Sequence, residues 1–217
     1  MPHPPGHLLA NPLPPGIVGA LGLGGYQLLA DVAGVGAGRL GDQAFLLVAP
    51  DPDPSLPDAG TQVSLHHSRL RDDAELQSFT QLAAQLGYLR LSGYRLAPER
   101  VGLRSRVAVV NPATGAILAR IPEKHPGGLL SLRGGGGSGG ARGLLAAVRG
   151  LPSAGSPPDL RDPELLRQVL LALALRDEQL GGAEAAELAD RALALNQGDA
   201  ALDPSGALAA ARAGRET

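Results

Sequence analysis

Few residues in this chain combine the right type with a spacing that could do chemistry. Gly36-Ala37-Gly38-Arg39-Leu40-Gly41 spells G-x-G-x-x-G. That pattern holds a pyrophosphate when a strand precedes it and a long helix follows. Here the apolar run 44–49 (AFLLVA) follows instead, so the glycines are read as a loop. His66 and His67 are adjacent, and on a strand they point to opposite faces and cannot grip one metal ion. His3, His7 and His125 have no carboxylate at ligand spacing. Asp51 and Asp53 could chelate a hard cation, but no glycine-containing loop or distal glutamate completes a calcium motif, so both are read as turn residues. With no cysteine in the chain, thiol nucleophiles, Cys-ligated zinc, iron–sulfur clusters and disulfides are excluded. No serine is paired with a base. The expectation is therefore no catalytic residue, no metal and no cofactor, leaning away from an enzyme. Acid–base pairs assembled from distant residues such as Asp31, His66 or His125 have no spacing that would reveal them.

Charge gives a clearer signal. Residues 69–124 carry nine basic and five acidic side chains, whereas 159–217 carry six basic and eleven acidic ones. Lys124 is the only lysine among 19 basic residues, a bias that weakens arginine as a sign of phosphate binding. On an alternating reading, Tyr88, Arg90, Arg104, Arg106 and Arg120 share the solvent face of a sheet. Arginine beside tyrosine on such a face is how single-stranded nucleic acid is held, by phosphate attraction and base stacking. A net charge of −2 counts against it.

The elements that must position these residues follow from punctuation and periodicity. Of 217 residues, 31 are glycine and 19 proline, and only 2% are aromatic. Residues 1–16 are punctuated by proline and read as an irregular arm. A short helix or turn over 17–31 would end at Gly34, Gly36 and Gly38. Strands are expected at 44–49 and 62–66. Asp72 and Asp73 open a helix bearing Leu76, Phe79, Leu82, Ala83 and Leu86 at helical spacing, with Gly87 closing it. Tyr88 to Leu96 alternates like a strand, and 105–121 reads as a hairpin around Asn111-Pro112-Ala113-Thr114-Gly115. The run 134–140 (GGGGSGG) reads as a flexible tether, with a short helix expected over 142–151. Asp162-Pro163-Glu164 then starts a helix, and 183–196 forms a second.

Fold class is thus α+β: a small, mostly antiparallel sheet packed on one helix, then a glycine-rich tether and an α-helical hairpin. The expected segments are an N-terminal arm (1–43), an α/β sandwich (44–133), a linker (134–158) and an acidic hairpin and tail (159–217). The second hairpin helix, through Glu184, Ala185, Ala189, Ala192, Leu193, Leu195 and Asn196, resembles that of a tetratricopeptide repeat. It departs at Gln197, Arg176 and Ala172-Leu173, and no second repeat follows. That resemblance implies protein–protein binding. An apolar hairpin needs a covering partner, and Leu166, Val169, Leu170, Leu173, Leu188, Ala192 and Leu195 are the expected interface. The leading expectation is a non-enzymatic binding or assembly protein with a protein partner or a second copy. A nucleic-acid-associated protein with an acidic autoinhibitory tail is the alternative. The most apolar window, 16–38, contains Asp31 and eight glycines, so no membrane span is expected. The N-terminus lacks the basic residues of a signal peptide, so a cytoplasmic location is expected.

Overall fold

The computed structural model describes residues 13, 15–49, 51, 64–70, 72–101, 104–122, 145, 148–149, 160–177, 179–196 and 203–214. The fold is mixed α+β, with helix α1 (Pro15–Leu23) leading into a four-stranded antiparallel meander. Its strands are β1 (Gln27–Val32), β2 (Val35–Leu40), β3 (Gln43–Val48) and β4 (Ser64–Arg69), in that spatial order. Helix α2 (Asp73–Leu91) follows. A second antiparallel sheet comprises β5 (Arg95–Val101), β6 (Arg104–Val110) and β7 (Ile117–Pro122). Helices α3 (Pro163–Arg176), α4 (Gly182–Asn196) and α5 (Pro204–Ala213) complete the described chain. No described helix is long and apolar enough to cross a membrane.

The sheet begins earlier than the sequence suggests. Gly36 and Gly38 lie on β2 rather than in a loop, and the expected boundary after residue 43 falls within β3. Glycine is a poor strand former, which hides β2, but both glycines are needed for packing. A side chain at Gly38 would overlap the Phe45 ring across the ladder, and one at Gly36 would displace Leu13. The β1–β2 turn is Ala33-Gly34 with φ of 49° and 77°, both in the left-handed region, as a tight right-twisted hairpin requires.

α2 starts as expected. Asp72 caps it, accepting from the Glu75 amide at 2.7 Å. It does not stop at Gly87. Gly87 is where the helix presses on β1, and any side chain there would overlap Val32. The helix runs on to Leu91 and is closed by Ser92 and Gly93 (φ 99°), so β5 begins only at Arg95. The alternation of Tyr88, Leu89, Arg90 and Leu91 is therefore one helical turn in which two leucines face inward. The 105–121 hairpin is present. Asn111 Oδ1 accepts from the Ala113 amide at 3.0 Å, and Gly115 sits at φ 69°. A bulge between Val109 and Val110 shifts the register, so Ala119 and Ile121 face the core while Ile117 is exposed.

α2 is the shared wall of two cores. Phe79, Leu82, Leu86 and Leu89 pack against Val35, Leu46 and Val48 of one sheet and Leu96, Val107, Val109 and Ile121 of the other. Ala84 and Leu91, with Ala30 and Val32 of β1, pack against α3, α4 and α5. α3 is built as its sequence implies, Asp162 capping it through the Glu164 amide at 2.9 Å. The same Asp-Pro signal at Asp203-Pro204 starts α5, a helix not expected from the sequence. The glycine run 134–140 lies outside the described residues. Leu145, Val148 and Arg149, from the expected 142–151 helix, are helical.

Candidate functional site

The structure does not bring the five expected platform residues together. Tyr88 lies on α2, its ring 4.8 Å below the Arg176 guanidinium. Arg90, in the last turn of the same helix, is only 3% exposed. Its Nη1 donates to the Ala33 carbonyl at 2.6 Å, its Nη2 to the Ala49 carbonyl, and its Nε lies 3.5 Å from Asp51 Oδ1. Burial lowers its pKa and Asp51 opposes that shift. Asp51 is thus a structural partner rather than a cation ligand. Its other oxygen accepts from the Leu96 amide at 2.7 Å, joining the two sheets. Arg120 pairs with Glu99 at 2.9 Å across β6. Arg104 and Arg106 lie on β6, and their side chains are outside the described set.

The hairpin interface is likewise placed differently. Leu166, Val169, Leu170, Leu173, Leu188 and Ala192 are buried against α2 and β1 of the same chain, and Leu195 alone is exposed, at 47%. The apolar faces that seemed to lack a partner find it in cis. Gly182 shows how close the fit is, since a side chain there would strike the Leu29 backbone.

His66 and His67 occupy successive β4 positions opposite Leu46 and Phe45. His3, His7, His125 and Asp53 lie outside the described residues. Among the described residues no group of three His, Asp or Glu could hold a metal ion. Asp31, on β1, accepts from the Leu13 amide through Oδ2 at 2.8 Å, while its buried Oδ1 makes no hydrogen bond. Burial pushes its carboxyl up to about 6, against the opposing pull of the Leu13 and Gly34 backbone amides.

A concave site that the sequence reading missed lies against α2. A cleft of about 270 Å³ is lined by Ala74, Gln77, Ser78, Gln81, Leu145, Arg149 and Gln179. The first half of α2 forms one wall, and the loop between α3 and α4 contributes Gln179. Gln77 Nε2 donates to the Gln179 carbonyl at 3.0 Å, holding that loop against α2. Gln179 has φ 53°, rare for a residue with a side chain. Gln81 is only 9% exposed as a residue, but its amide, which makes no hydrogen bond to any described residue, is not sealed from solvent. An amide open to the cleft can bond to water or to a ligand. The signal was present: Gln77, Gln81 and Gln85 recur every four residues, one stripe of a helix.

Comparisons of the chain with protein-family models, with curated proteins and with solved structures give no match. Any reading of the site therefore rests on its own chemistry.

Proposed function

We propose that this chain is a non-enzymatic binding protein that captures a segment of a partner protein in the cleft between α2 and the hairpin loop. The observation that carries this reading is Gln81, a largely buried side chain that lines the cleft and whose amide makes no hydrogen bond to any described residue. A primary amide offers one carbonyl acceptor and two N–H donors, the same groups a peptide backbone presents. Gln77 and Gln179 repeat that chemistry around it, and Leu145 and Ala74 supply apolar surface for a side chain. The hairpin keeps its expected role in binding through its loop, while its leucines hold it in place.

The test is a random-peptide display selection on the full chain, counter-screened against Gln81→Leu. Enriched peptides that lose binding to the variant support the reading. No enrichment, or enrichment indifferent to the substitution, contradicts it.

A further inference from the structure

We infer that the segment taken by this cleft is a polypeptide C-terminus, its terminal carboxylate on Arg149 and its last peptide group on Gln81. The inference rests on the binding role proposed above and adds the class of ligand.

Arg149 is the only charged residue, and no acidic residue appears, among the described residues lining the cleft. Arg120, Arg167, Arg176 and Arg191 all lie against a carboxylate at 2.6–2.9 Å. Arg149 has no carboxylate partner among the described residues. Its one hydrogen bond is long, 3.4 Å from Nη2 to the Arg176 carbonyl, and its side chain is exposed. The rest of its fork of donors is open to an anion. A guanidinium fork matches the two oxygens of a carboxylate. The Gln81 amide, which lines the same cleft, matches the N–H and C=O of a peptide group.

A chain end is the ligand that carries both in adjacent positions, and its capture is a recurring recognition mode. Size agrees. The cleft, about 270 Å³, lies at the small end of ligand sites, which suits a terminus entering end-on better than a strand passing through.

The experiment follows the side-chain amide signal of Gln81 in the ¹⁵N-labelled full chain, assigned by its loss in Gln81→Leu. Three probes are titrated: acetyl-trialanine with a free carboxylate, its amide-capped form, and amide-capped acetyl-Ala-Asp-Ala. The free acid is expected to shift the Gln81 signal saturably, with the capped form weaker by about fivefold, the size of one partly exposed charged contact. Arg149→Gln is expected to abolish that difference while leaving the thermal midpoint unchanged. Equal binding of the capped peptide overturns the carboxylate and leaves segment binding intact. Equal binding of the aspartate peptide overturns the chain end. If no probe moves the Gln81 signal but display-selected peptides do, this inference fails and the binding role stands. If neither moves it, both fail.

Discussion

Gln81 and Gln85 sit one turn apart on the same face of α2, and both are buried, yet they end in opposite circumstances. Gln85 Nε2 donates to the Val148 carbonyl at 3.3 Å, and its Oε1 accepts from Arg176 at 3.2 Å. Gln81 has neither. The contrast extends along the helix. Toward its C-terminus, Arg90 and the Gln168 side chain hold the buried β1–β2 turn at Ala33, whose amide donates to Gln168 at 3.3 Å. Toward its N-terminus, the second left-handed non-glycine residue among those described, Gln179, is held by Gln77. One half of α2 uses its polar side chains to hold a buried turn, with Arg90 Nε left 3.5 Å from Asp51 and without a hydrogen bond. The other keeps an amide in reserve beside a cleft. Burial of polar side chains therefore has two meanings in one helix, and partner geometry separates them.

The largest effect should come from the satisfied half. Arg90→Met leaves two buried carbonyls and Asp51 without their cation, and should destabilise the protein by ~3–5 kcal/mol in urea unfolding. A cost below ~1 kcal/mol, within the range of an exposed ion pair, would mean that the Arg90 network does not organise the fold.

Gly87→Ala comes next. It forces a methyl group onto Val32, and overpacking of this kind should cost ~1–3 kcal/mol by the same measurement. An unchanged midpoint would show that α2 is free to move off β1.

Asp31 offers a pH test of a buried carboxylate that is only half satisfied. Its folded pKa is raised to about 6 from 3.8. Between those values the folded state binds more protons than the unfolded state, so this group's contribution to stability rises as pH falls through that window. The difference between wild type and Asp31→Asn should change by ~2 kcal/mol between pH 7 and pH 4, most of a full linkage of about 3 kcal/mol. A flat difference would mean that Asp31 is as well solvated as an exposed aspartate.

Much of this was legible in the sequence, and the misses share a cause. The capping aspartates at 72 and 162, the Asn111–Gly115 turn and the apolar stripes follow from local rules, because their partners lie within a few residues. Gly36, Gly38 and Gly87 were misread as punctuation because their purpose is a close approach by Leu13, Phe45 and Val32, distant in sequence. Arg90 was misread as a surface residue for the same reason, since its acceptors at Ala33 and Ala49 are supplied by the other sheet. The hairpin leucines were correctly read as needing cover, though nothing local says that α2 and β1 provide it. The cleft was not expected at all, because Gln179 reaches α2 only once α3 and α4 are folded against it.

The smallest expected effect is the most telling, because its size separates the two glutamines. Leucine at 85 removes a satisfied buried amide and orphans the Val148 carbonyl, so Gln85→Leu should destabilise by ~1–3 kcal/mol. Leucine at 81 removes an amide that bonds to no described residue and is open to solvent, so Gln81→Leu should change the stability of the ligand-free protein by less than ~0.5 kcal/mol. Urea unfolding of the two variants beside wild type, without ligand, measures both. A clear cost at 85 with almost none at 81 is the predicted result. Destabilisation of similar size at both positions would contradict the account, because Gln81 would then be a structural residue and the cleft would hold no unpaired amide for a ligand.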